Sequence, residues 1–220
     1  MVGISNKAST FSKALIIANG ASCSESLLKA TVEKADYLIV LDSAMERLEE
    51  SGIIPDVLLG DFDRNFDPLI YQKKHPKIEL VYAESQDKTD LEKAFDFLIQ
   101  KKIQQVTVVW ATGKRGDHSL ANLSCIVNYR KNLAITLVDD HSKIRLLERK
   151  YSAWYQANTI LSLMALGRVS GISTQNLYYP LTNENLNSGY RMGNSNYVIQ
   201  DGLVTIEHKR GDLLLMECID

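Results

Sequence analysis

With 220 residues, a net charge of −2, 45% hydrophobic and 24% charged residues, the chain is sized for one large or two modest soluble domains. It lacks the overall positive field that draws nucleic acid or an anionic membrane surface. Its three cysteines, Cys23, Cys125 and Cys218, are too scattered for a disulfide framework or a C-x-x-C metal or redox motif. The first apolar run, Ala14 to Ala18, is too short for a secretion signal or a membrane span, so the expected compartment is the cytoplasm, with no membrane attachment.

Short apolar runs alternate with amphipathic helical patterns as far as residue 140. "KALIIANG" reads as a strand, Glu25 to Ala35 as a helix, "YLIVLD" as a strand, Ala44 to Ser51 as a helix and "VLLGDFD" as a strand. Helical "DLEKAFDFLIQKK", strand-like "QVTVVWATG", helical "HSLANLSCIVNYRK" and strand-like "AITLVDD" follow. That alternation predicts a mostly parallel sheet with helices on both faces, a three-layer α/β/α domain. The strands end in polar clusters (Asn19-Gly20, Asp42-Ser43, Gly60-Asp61, Thr112-Gly113), which should gather at the carboxyl edge of the sheet, where such folds bind ligands. Beyond residue 143 the pattern becomes all-β: "ISTQNLYYPL", "GYRMGNSN" and "YVIQDGLVTIEHKRGDLLLMEC" read as short strands, with turns at Asp201-Gly202 and at Arg210-Gly211-Asp212. The expected domains are 1–143 and 144–220.

Three motifs carry candidate chemistry. Asp61 and Asp63 flank Phe62 at the end of a strand; two carboxylates that close repel unless a cation such as Mg²⁺ lies between them, although either one could simply cap a turn. In "QDKTDLEKAF", Thr89 and Glu92 have capping-box spacing and Asp90 suits a first helical turn, so structure alone accounts for them; their place on the ligand edge is what makes them candidates. In "ATGKRGDHSLANL", Gly113 and Gly116 flank Lys114 and Arg115, which offer charge and donors for phosphate, while Asp117 and His118 fit equally well as a helix cap and a surface residue. The loop is not a Walker A motif, and no nucleophile motif supports acyl transfer.

Taken in order, "ANG", "GDFD", "QDKTDLEKA" and "GKRGDHSLANL", followed by "NLYYPLTNENL" and "NSN", resemble the thiamine pyrophosphokinase family over nearly the whole chain. The resemblance implies transfer of a pyrophosphoryl group from ATP to thiamine, giving thiamine diphosphate and AMP. It implies an α/β catalytic domain, a small C-terminal β-sandwich that binds thiamine, and a homodimer with active sites between subunits. By matching position it implies Asp61, Asp63, Asp90 and Asp117 as catalytic residues, the first three holding Mg²⁺. Asn19, Asp42, Gln86, Thr89 and Arg115 fall toward ATP, and Asp117, Tyr179, Ser195 and Asn196 toward thiamine. ATP and thiamine are the implied partners.

Two positions depart from the family pattern. Relatives often carry Asp-Gly-Gly-Ala-Asn after the second strand, whereas this chain reads "DSAMER", keeping only Asp42. Asn176 stands where a glycine is usual, and asparagine tolerates a left-handed backbone better than most residues. From the motifs alone two other readings stay open: a metal-dependent phosphohydrolase, and a non-catalytic protein that binds nucleotide or thiamine on the same scaffold. A dinucleotide oxidoreductase is disfavoured, because no G-x-G-x-x-G follows the first strand.

Overall fold

The structure, a computed structural model, describes residues 12–62, 66–83, 85 and 87–219. The chain divides into two compact units, the first running through Cys125 and taking Tyr129–Ile135, the second comprising Ile126–Asn128 and Thr136–Asp220.

In the first unit, strands and helices alternate as β1 (Lys13–Ile17), α1 (Glu25–Val32), β2 (Tyr37–Leu41), α2 (Ala44–Glu50), β3 (Val57–Gly60), α3 (Pro68–Lys74), β4 (Glu79–Tyr82), α4 (Asp90–Gln100), β5 (Gln105–Val109) and α5 (Gly116–Tyr129). The strands pair in parallel in the order β4-β3-β2-β1-β5. Every residue of β2 and all but the first of β1 are buried. Central strands covered on both faces have no solvent side, which is why "ALII" and "YLIVL" read as unbroken apolar runs. The chain steps outward from β1 to β4 and then returns to lay β5 against the other side of β1. That reversal is a topological switch point, at whose carboxyl edge open α/β sheets place their ligand crevice.

The sequence pattern gives no clear sign of the pair α3 and β4. Asp67 caps α3, its side chain accepting from Leu69 N–H, and Pro68 occupies the first turn, where a missing N–H costs nothing. The helix is only 7 residues long, and β4 is a part-buried edge strand of 4 residues, so neither leaves a strong periodic trace. The last strand-like run of the α/β pattern also behaves differently. β6 (Ala134–Val138) pairs antiparallel with β7 (Ser142–Leu146). Asp139 closes this tight turn by donating its N–H to Ser142 O and accepting from Ser142 Oγ, and a parallel neighbour would need a far longer crossover.

The second unit continues with β8 (Lys150–Tyr155), β9 (Ile160–Gln175), β10 (Glu184–Asn187), β11 (Gly193–Tyr197), β12 (Gly202–Glu207) and β13 (Arg210–Cys218), all paired antiparallel. The expectation of short strands fails at β9, which runs 16 residues. Its first part pairs with β13 and β11, its last part with β12 and β10, so one bent strand serves both layers around a core that includes Leu163, Val169, Ile172, Leu186, Val204 and Leu213. The expected turn at Arg210-Gly211-Asp212 is instead a bulge inside β13, where the register with β9 shifts and Gly211 takes φ +92°. Asn176 does adopt the left-handed conformation, φ +62°, and its side chain ties the turn down by donating to Gln200 O and accepting from Gln200 N–H.

Candidate active site

The floor of the crevice is set by backbone contact between the loops that leave β1 and β5. Gly20 N–H donates to Trp110 O at 2.6 Å and Ala21 N–H to Thr112 O at 2.8 Å. A Cβ on Gly20 would stand 2.4 Å from both carbonyl oxygens, so only glycine permits this approach. Gly113 (φ +76°) and Lys114 (φ +52°) then turn the β5 loop sharply into α5, while Asn122 on α5 donates back to Ala111 O. The result is a cavity of about 460 Å³, lined among others by Asn19, Asp42, Asp61, Thr89, Asp90, Lys93, Lys114, Arg115 and His118. A volume of this order suits a nucleotide-sized ligand.

The start of the "DSAMER" segment, Asp42 and Ser43, forms one wall. Asp42 adopts φ +47° and α2 follows at once. Asn19 donates through Nδ2 to Ser43 Oγ at 2.8 Å and accepts from Arg47 at 2.9 Å; Arg47 also donates to Ser22 Oγ and lies over the Trp110 ring, 4.5 Å from its centroid. A guanidinium on a buried indole gains cation–π attraction while holding Asn19 in one rotamer. Burial holds the Lys114 ammonium below the ordinary lysine range, and the nearby charge of Arg47 pushes the same way. The charges of Lys114 and Arg47 thus oppose one another, a repulsion that an anion would relieve.

An acidic wall is built from the end of β3 and the start of α4. Phe62 takes φ +53°, rare for a bulky residue, and its ring packs against Tyr82 at 4.9 Å and Phe66 at 6.0 Å. This aromatic anchor fixes the loop just after Asp61. At the start of α4 the expected capping box is present: Glu92 N–H donates to Thr89 Oγ1 and Thr89 N–H to Glu92 Oε2. The cap places Asp90 at the cavity edge. Between the two carboxylates lies a residue that the sequence reading passed over, Lys93. Its Nζ is 2.9 Å from Asp90 Oδ1 and 3.9 Å from Asp61 Oδ2, and its side chain is only 7% exposed. The signal was the i,i+3 spacing from Asp90, which puts Lys93 on the same helical face. Asp63 and Gln86, both expected at this wall, lie outside the described residues.

Asp117 sits in the first turn of α5, with Arg115 at the capping position. Arg115 grips it with two bonds, Nε to Oδ1 at 3.1 Å and Nη2 to Oδ2 at 2.5 Å. The hydrogen bond from Arg115 chiefly holds the Asp117 carboxyl down at about 2, well below the usual range, so it stays ionised throughout the neutral region. Arg115 lines the cavity; Asp117 is placed behind it as its partner.

The thiamine candidates form their own cluster in the second unit. Asn196 is buried, and its amide is committed to backbone: Oδ1 accepts from Tyr179 N–H and Tyr197 N–H, and Nδ2 donates to Tyr179 O. Tyr179 is exposed beside Tyr178, which stacks on Tyr197 at 4.5 Å. Ser195 is exposed with φ +55°, its N–H held by Ser162 Oγ. Asn196 therefore fixes the Tyr179 backbone, and the exposed groups available for contact are Tyr179 and Ser195.

Two family models match this chain: the catalytic domain of thiamin pyrophosphokinase over residues 28–137 and its vitamin B1 binding domain over residues 144–213. The chain belongs to the thiamin pyrophosphokinase family. The thiamine pyrophosphokinase of Bacillus subtilis is 26% identical over 192 residues, 83% of this chain and 87% of that protein. Among solved structures, the thiamine pyrophosphokinase of Bacillus subtilis superposes with a TM-score of 0.80 at 23% identity, covering 94% of this chain and 99% of that one. Thiamin pyrophosphokinase from Candida albicans gives 0.80 at 16% identity over 95% and 89% of the two chains, which is likeness of fold. The activity of a thiamin pyrophosphokinase is that of a thiamine diphosphokinase. The phosphohydrolase and the non-catalytic binder left open by the motifs are not favoured.

Proposed function

We propose that the chain transfers the pyrophosphoryl group of ATP to thiamine with the nucleotide lying over the switch-point cavity, its phosphates between the basic floor and the acidic wall. The observation that supports this most is the convergence of Asp61 and Asp90 on one cationic centre, in a cavity that Lys114 and Arg115 also line. Among the described residues no group of three or more His, Cys, Asp or Glu side chains gathers closely enough to hold a metal alone. That donor set fits Mg²⁺, which typically takes one or two carboxylates and completes its shell with phosphate oxygens and water. Asp61 and Asp90 would hold it, with Asp63 joining them by family position. When bound, it neutralises charge on the pyrophosphoryl oxygens.

The protein's own groups supply positioning. Lys114 and Arg115 hold phosphate oxygens, Asp117 orients Arg115, and Asn19, Asp42 and Thr89 surround the rest of the nucleotide, with Gln86 joining them by family position. The thiamine hydroxyl oxygen bonds to the β-phosphorus as the bond from that phosphorus to the bridging oxygen breaks, and AMP leaves with the bridging oxygen. The hydroxyl proton passes to Asp61 or Asp90; Asp117, held at about 2 by Arg115, is too weak a base. Tyr179 and Ser195 contact thiamine, and Asn196 holds Tyr179 in place. On this reading residues 1–143 form the ATP and Mg²⁺ domain and 144–220 the thiamine-binding domain, in a cytoplasmic enzyme.

Incubation with ATP, Mg²⁺ and thiamine is expected to yield AMP and thiamine diphosphate in equal amounts. ADP with thiamine monophosphate, or phosphate release indifferent to thiamine, contradicts the reading. We further propose a homodimer with active sites between subunits. Light scattering should then give about twice the 24.7 kDa chain mass, with activity per chain falling on dilution as the dimer dissociates. Full activity in a monomer would exclude shared sites.

A further inference from the structure

Lys93 is buried where helix packing asks for no charge. Its neighbours Leu91, Ala94, Phe95 and Leu98 form the apolar face of α4, and a methionine would fill the same space. An ammonium in such a place is costly unless it is paired, and here its partners are the two carboxylates of the acidic wall, 2.9 Å and 3.9 Å away. The geometry points to Lys93 as the resident counter-cation of this wall, a positioning residue that holds Asp61 and Asp90 together before a metal arrives. It also keeps their affinity for a free divalent cation low. The inference rests on the reading of Asp61 and Asp90 as Mg²⁺ ligands.

The physical argument is competition. A carboxylate pair without a cation repels itself apart; with Lys93 in place it is held ready but partly neutralised. A free divalent ion entering the pair meets the lysine charge within a few ångströms and binds weakly. An ion carried by the phosphates of ATP brings its own anions, which that lysine charge attracts. Metal would therefore enter and leave with the nucleotide, and product release would not wait on a tightly held ion.

Mn²⁺ binding to the nucleotide-free protein, followed by electron paramagnetic resonance, separates this role from a structural one. Lys93→Met is expected to bind Mn²⁺ at least ~5-fold more tightly than the parent, because a like charge near the site has gone. Lys93→Arg should stay within about twofold of the parent, since it retains the charge. Asp90→Asn should weaken binding in either background. Should Lys93→Met prove unfolded by circular dichroism, Lys93→Gln serves in its place, with the same tightening expected. Unchanged or weaker Mn²⁺ binding in the neutral variants, with Asp90→Asn still lowering affinity, overturns the role of Lys93 while leaving the metal reading intact. Mn²⁺ binding that ignores Asp90→Asn overturns both.

Discussion

Asp90→Asn lowers turnover by roughly 10²-fold or more, and Asp61→Asn does the same, while both proteins remain folded. On the proposed reading each exchange removes a charge from the wall that meets the pyrophosphoryl group, and loss of one such electrostatic contact in a reacting site costs on that order. Asparagine preserves shape, and its amide oxygen can still accept from Lys93, so the core of α4 is not disturbed. The cost in stability comes from leaving Lys93, 7% exposed, with one full charge partner where it had two. It should be about 1 kcal/mol, a shift in Tm of roughly 2–4 °C. AMP formation under saturating substrates and a thermal melt measure the two effects separately. Near-parent turnover in both variants at low Mg²⁺ would reduce the acidic wall to a set of turns and caps.

Asn196→Ala should do the reverse, costing stability first and thiamine affinity as a consequence. Three hydrogen bonds end on this one buried side chain, and alanine leaves two backbone N–H groups and a carbonyl without their partner. Because Tyr179 is exposed, water can recover part of the loss, and the net destabilisation should be about 2 kcal/mol, a fall in Tm of roughly 4–8 °C. With the Tyr179 backbone released, KM for thiamine rises while KM for ATP stays near its parent value. Ser195→Ala is the contrasting case: it removes an exposed hydroxyl, leaves the backbone bond to Ser162 in place, and should change KM for thiamine without moving Tm. An Asn196→Ala protein with unchanged Tm would mean that the bracket around Tyr179 holds without it.

The legible parts of this chain were those where one local pattern had one physical meaning. The paired apolar strands β1 and β2, the Thr89–Glu92 capping box and the left-handed Asn176 belong here, since each is decided within a few residues. What escaped depended on distant partners. β4 is an edge strand and needs little burial, so "ELVY" gives no clear period. Gly167 and Gly171 lie inside β9 at positive φ, where they let a 16-residue strand bend without ending, and its partners sit far along the chain. "AITLV" looks like its parallel neighbours, and only the turn at Asp139 shows that its partner runs the other way. At the site, Asp61, Thr89, Asp90 and Arg115 could be placed from motifs. Resemblance puts Asn196 among the thiamine contacts, and only its surroundings reveal an amide committed to the Tyr179 and Tyr197 backbone; the burial of Lys93 likewise emerges only with its partners.

Arg47 lying on Trp110 also gives the molecule an optical property. The chain has two tryptophans: Trp154 is 59% exposed, whereas Trp110 is 3% exposed under a guanidinium that shares Asn19 with the cavity. Indole emission responds to the electric field across the ring, so anything that draws Asn19 or Arg47 toward a phosphate changes the colour of Trp110. With Trp154 exchanged for phenylalanine, a shift of Trp110 emission on adding ATP to the unlabelled protein is the expected sign that nucleotide reaches this loop. On the proposed reading, that shift gives the "DSAMER" loop a second use, as a reporter of the first step of the reaction.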